Sequence, residues 1–153
     1  MVGSPSSFPP GYFDPIVPVA PQLLSLVALS EASYFADVLL EEHWWPTFCA
    51  LRDVQELQIG CVGYKLDEIF PLLQQLQHLT TLSISHLDPP SPYPRNIPHF
   101  DKLTSATTLE FIAETPALRS LALPRQLRPI WTAEELAEVK AAAEEKGLCL
   151  RLE

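Results

Sequence analysis

The sequence predicts an α/β fold: a curved parallel sheet of about five strands, built as a β/α solenoid with helices on its outer side. Three observations lead there. One short apolar template recurs along the chain. Segments with helical periodicity and end signals lie between its copies. The connections are short enough for right-handed crossovers between neighbouring parallel strands.

The template is an apolar residue, two others, Leu, one other, then Leu or Ile. It occurs at Val54-Gln55-Glu56-Leu57-Gln58-Ile59, at Leu79-Thr80-Thr81-Leu82-Ser83-Ile84 and at Leu118-Arg119-Ser120-Leu121-Ala122-Leu123. Gly147-Leu148-Cys149-Leu150-Arg151-Leu152 keeps its second half. From residues 54, 79, 118 and 147 the successive spacings are 25, 39 and 29, and the longest contains a proline cluster. Each copy alternates apolar with polar or small residues, as a half-buried strand does. An earlier copy near Leu23 to Leu29 fits in two registers, Leu23/Leu26/Ala28 or Leu24/Val27/Leu29. A one-residue slip exchanges its two faces.

Helix signals fall between the strands. Phe35, Val38, Leu39 and Glu42 share a face after Ser30, a candidate N-cap, and Pro46 stops that segment. Asp67 and Glu68 suit the positive end of a helix dipole, and Pro71 to Leu76 reads as helix with Pro71 in its first turn. Thr107 and Glu110 have capping-box spacing ahead of Ile112, with an end before Pro116. The strongest signal predicts a helix over 133–146. Thr132 and Glu135 form a capping-box pair flanked by Trp131 and Leu136, Leu136, Val139 and Ala143 make an apolar stripe, and Gly147 suits a left-handed C-terminal cap.

The 16 prolines gather at Pro5 to Pro21 and at Pro89 to Pro98, and proline's fixed φ and missing N–H discourage regular structure there. The expected organisation is an irregular Pro/Ser-rich arm at 1–19 and one domain at 20–153, with a proline-rich insertion at 86–101. Hydrophobic residues make up 47% of the 153, enough for a core. The net charge of −9 argues against gripping nucleic acid or an anionic membrane, both of which need clustered Lys and Arg. No apolar run is long enough to span a bilayer, and the first residues lack a secretory signal pattern. Three widely spaced cysteines suit a reducing compartment, cytoplasm or nucleus.

The stretch Ile69-Phe70-Pro71-Leu72-Leu73-Gln74-Gln75-Leu76-Gln77-His78-Leu79-Thr80-Thr81-Leu82-Ser83-Ile84 resembles the repeats of fungal F-box-type leucine-rich-repeat proteins. The segment Phe111 to Leu123 is similar to them too, and the resemblance covers about residues 20–153. It implies a leucine-rich-repeat-like solenoid and substrate recognition for an SCF-type ubiquitin ligase. No F-box is evident in the chain, and Val62, Leu87 and Gln126 stand where the family often has Asn or Cys.

Residues that could carry chemistry do not gather into motifs. His43, His78, His86 and His99 and the three cysteines form no metal-ligand pair, so neither metal nor cofactor is expected. Cys61 and His86 end successive strands and could be neighbours, yet an incidental thiol is the commoner fate of a cysteine. Glu134, Glu135, Glu138, Glu144 and Glu145 read as a solvated helix face. Trp44-Trp45-Pro46 is either packing or a partner anchor.

The expected function is therefore protein–protein interaction by a non-enzymatic chain, monomeric when alone. The alternative is a small α/β enzyme or ligand-binding domain with its site at strand C-termini near Gly60, Ser85 and Pro124. The expected partner-binding residues are Glu56, Gln58, Thr81 and Ser83 on the outward face, with Arg151 and the Tyr93–Arg95 stretch on the rim.

Overall fold

The computed structural model describes residues 18–28, 50–61, 66–86 and 103–153. A single helical turn at Ala20–Gln22 leads into β1 (Ser25–Ala28). Then come β2 (Glu56–Cys61), α1 (Leu66–Leu73), β3 (Thr81–His86), α2 (Ser105–Glu114), β4 (Ser120–Leu123), a helical turn at Arg125–Leu127, α3 (Ala133–Lys146) and β5 (Cys149–Leu152). The architecture is mixed α/β with an open parallel sheet in the order β1-β2-β3-β4-β5. Four strands, β2 to β5, are joined in turn by α1, α2 and α3. The short β1 adds to the free side of β2 and places Leu26 opposite Leu57. That pairing selects the Leu23/Leu26/Ala28 register, and Leu24 is left 55% exposed.

The residues leading into each strand adopt one geometry. The N–H groups of Leu23, Val54, Leu79, Leu118 and Gly147 donate to carbonyls three residues back, on Ala20, Leu51, Leu76, Thr115 and Glu144, at 3.2, 3.4, 3.0, 3.1 and 3.0 Å. Ala20, Leu51, Leu76 and Thr115 are all buried. One residue after each of the first three donors, the carbonyls of Leu24, Gln55 and Thr80 each accept two N–H groups from the next segment, at 2.8 to 3.0 Å. The Arg119 carbonyl continues the series by accepting from Cys149 at 2.8 Å. These bonds satisfy backbone groups that would otherwise be stranded between helix end and strand.

The period-2 alternation turns Leu57, Leu82, Ile84, Leu121 and Leu123 into the core. Phe70, Leu73, Phe111, Ile112, Val139 and Ala143 from the helices close over them. Phe70 of α1 stacks on Phe111 of α2 with ring centroids 4.5 Å apart, which locks those helices side by side. Gly147 ends α3 with φ 68°, a conformation that favours glycine, and its N–H reaches the Ala143 and Glu144 carbonyls.

Three sequence expectations need correction. Pro71 is not in the first turn of its helix, because α1 starts at Leu66. The missing Pro71 N–H would have met the carbonyl of Asp67, so the helix forgoes one bond near its end and continues. The cap of α2 is Thr104 rather than Thr107, and its Oγ1 accepts from the Thr107 N–H at 3.1 Å. The insertion expected at 86–101 cannot begin at His86, which is the last residue of β3 and pairs with Cys61. The expected helix around Phe35 to Glu42, the Trp44-Trp45 pair, most of the N-terminal arm and the rest of the proline-rich insertion lie outside the described residues.

Candidate functional site: the sheet face opposite the helices

The residues between the core leucines necessarily point away from the helices. Strand register arranges them in two rows across the sheet. One row runs Ser25, Glu56, Thr81, Ser120 and Cys149. The other runs Gln58, Ser83, Ala122 and Arg151. Strands about 4.8 Å apart make each row about 14 Å long from β2 to β5. Four of the expected partner-binding residues thus meet on β2 and β3, as Glu56 beside Thr81 and Gln58 beside Ser83. Arg151 lies on the same face two strands away. Tyr93 and Arg95 lie outside the described residues.

The middle of this face is made of short side chains. Thr81, Ser83 and Ser120 are half-buried, and Ala122 is buried at its centre. Hydroxyls and the Gln58 amide can donate and accept, so the face can bond to another chain's backbone without first moving bulk aside. Among the described residues of the two rows, charge is carried by Glu56 and Arg151. Glu56 is exposed on β2, and Arg151 on β5 pairs with Glu153 at 2.9 Å, the two side chains being 51% and 57% exposed. Cys149, an exposed free thiol, also lies on this face.

The opposite side is braced rather than open. Trp131 is buried and donates its Nε1–H to the Leu103 carbonyl at 2.8 Å, tying the start of α3 to the start of α2. Glu135 closes the α3 capping box. Its Oε2 accepts from the Thr132 N–H at 2.7 Å, and its Oε1 accepts from Ser105 Oγ of α2 at 3.2 Å. The Thr132 backbone bond is the largest reason that its carboxyl sits below the ordinary glutamate value, followed by the Thr132 hydroxyl, with Ser105 adding less; desolvation opposes them. At the far end Lys146 donates to the Ile112 and Thr115 carbonyls, capping α2 from α3. Burial first, and the Arg119 guanidinium second, hold its ammonium below the usual lysine value. The two helices are therefore fastened to each other at both ends, which fixes β4 and β5 beneath them.

The strand C-termini offer less. Cys61 stands opposite His86 and Gly60 opposite Ser85 in backbone register, and Pro124 is buried just after β4. Among the described residues no three His, Cys, Asp or Glu side chains are placed to hold a metal, and no helix is long and apolar enough to cross a membrane.

Sequence reasoning missed two basic residues near Arg151. Arg125 and Arg128 follow β4 in the short run Pro124-Arg125-Gln126-Leu127-Arg128. The available signal was an Arg-x-x-Arg spacing just beyond a predicted strand. No protein-family model, curated protein or solved structure matches the chain.

Proposed function

We propose that the chain is a protein-recognition module, a leucine-rich-repeat-like β/α solenoid that receives its partner on the sheet face opposite the helices. The observation that carries this reading is the recurrence of one backbone geometry ahead of the strands, each laid beside its sequence neighbour. Stacked units of that kind bury a shared core and leave one continuous face for binding. A doubly wound sheet reverses its strand order at a switch point and opens a ligand crevice there. The described sheet runs in sequence order throughout.

The resemblance to F-box-type proteins gives the finer form of the proposal, substrate recognition for an SCF-type ubiquitin ligase in the cytoplasm or nucleus. An adaptor-binding segment supplied from elsewhere would complete that role. The exposed thiol of Cys149 is compatible with a reducing compartment.

The test places a photoreactive amino acid at Gln58, Ser83, Glu138 or Glu145 in cells and compares the cross-linked species. Gln58 and Ser83 are expected to capture a shared protein partner that Glu138 and Glu145, on α3, do not. Cross-links formed only from α3 would put the interface on the other side and overturn the proposal.

A further inference from the structure

We infer that the rim of this face at the ends of β4 and β5 is a docking corner for an acidic segment of the partner, with Arg125, Arg128 and Arg151 as its cationic groups. The inference rests on the protein-recognition reading and adds which chemistry the partner must present, and where.

Two arginine side chains, Arg128 and Arg151, and the backbone of a third, Arg125, meet the last two residues of the β5 region. The Arg125 N–H donates to the Glu153 carbonyl at 2.7 Å, and the Glu153 N–H returns to the Leu123 carbonyl at 2.9 Å. That exchange folds the turn after β4 against the end of β5. The Arg128 guanidinium reaches the Leu152 carbonyl at 3.5 Å. Arg151 holds the Glu153 carboxylate at 2.9 Å. Arg125 and Arg128 are exposed, and Glu153 supplies the one carboxylate paired here among the described residues. The chain has only 10 Lys and Arg against 19 Asp and Glu; with Arg151 paired to Glu153, Arg125 and Arg128 leave this corner an excess of positive charge opposite in sign to the net charge.

Guanidinium groups bind carboxylates through paired N–H donors, and Arg151 already engages one carboxylate, through a single Nη1 contact to Glu153. Nucleic acid is the poorer fit. A polyphosphate backbone gains from neutralisation along its length, and the rest of this acidic chain would repel it. A short peptide with spaced carboxylates can touch the corner alone, without covering the acidic remainder of the chain.

The probe is a fluorescent peptide alternating Glu and Gly, titrated into the full chain at low salt, beside a Gln/Gly peptide of equal length. The Glu/Gly peptide is expected to bind, to weaken as salt rises, and to bind at least about tenfold more weakly to the Arg125→Glu/Arg128→Glu variant. Glu138→Gln/Glu145→Gln is expected to change nothing, and Arg125→Gln and Arg128→Gln singly should give intermediate losses if the double reversal impairs folding. Equal binding of the two peptides, or unchanged binding by the folded double variant or by both single variants, overturns the corner. Absence of binding to the wild type does the same. A phosphoserine peptide or an RNA oligonucleotide binding about tenfold tighter than the Glu/Gly peptide overturns the choice of carboxylates. None of these results touches the cross-linking from Gln58 and Ser83, so the corner and the face fail separately.

Discussion

Thr115 occupies a place in its unit that Leu51 and Leu76 fill in theirs, three residues ahead of the strand's lead-in residue. Its side chain is buried, yet among the described residues Oγ1 has no hydrogen-bond partner. A hydroxyl stranded in this way costs roughly 1–3 kcal/mol, since its bonds to water are lost and not replaced. Valine keeps the branched shape and removes the stranded group, and the backbone carbonyl that serves Leu118 and Lys146 is untouched. Thr115→Val is therefore expected to raise stability by about 1 kcal/mol, read as a higher urea midpoint at constant slope. A lower midpoint would mean that the hydroxyl is bonded in solution. The position was invisible in the sequence, where Glu-Thr-Pro reads only as a helix stop. Its meaning comes from the alignment of the lead-in turns in space, where Ala20, Leu51 and Leu76 are the buried counterparts of Thr115.

Local signals decided which helices were legible. Helix α3 occupies 133–146 as predicted because both ends carry their own chemistry, Thr132 with Glu135 at one and Gly147 at the other. Helix α2 was placed three residues late. Thr107 and Glu110 have the spacing of a capping box, but Thr104 takes the cap, with Thr107 Oγ1 2.9 Å from its hydroxyl where a box would put a carboxylate. Helix α1 carried two conflicting marks: Asp67 and Glu68 suit an opening turn, and the helix does begin at Leu66, whereas Pro71, a residue that favours the first turn, stands at the sixth position. What joins α2 to α3 was not legible either, since Ser105 and Glu135 lie 30 residues apart. That joint has a pH signature. Glu135 is held below the 4.5 of a free glutamate, so the folded state binds its proton less readily than the unfolded chain does. Its contribution is complete above about pH 5 and is lost as pH falls below 4.5 and through the folded value. Glu135→Gln is expected to flatten the loss of stability between about pH 5 and pH 3, measured by urea unfolding at each pH. Parallel pH profiles for variant and wild type would remove Glu135 from the joint.

The sheet was legible as strands because alternation is local, and as a parallel order because every intervening segment read as a crossover. The face carrying Glu56, Gln58, Thr81 and Ser83 followed from that alternation alone. The Arg125, Arg128 and Arg151 corner did not, because only the pairing of β4 with β5 brings these residues together. Sheet position should also grade the energetics. Leu82 lies in β3 with β2 and β4 on either side, and Leu121 in β4 lies between β3 and β5; both are fully buried. Leu150 holds the same register position on β5, at the margin of the described sheet, and is only partly buried. Emptying a buried leucine site removes transfer free energy and leaves a cavity that close-packed neighbours refill only in part. Leu82→Ala and Leu121→Ala are each expected to destabilise by about 2–5 kcal/mol. Leu150→Ala, beside solvent that can fill the space, is expected to cost less than half as much. Urea midpoints for the three variants, taken at one pH with the slope checked for constancy, give the comparison. If Leu150→Ala costs as much as Leu82→Ala, something covers β5 in solution, and the margin of the core lies beyond it. If Leu82→Ala costs nothing, the leucine row from β2 to β4 is not the core at all.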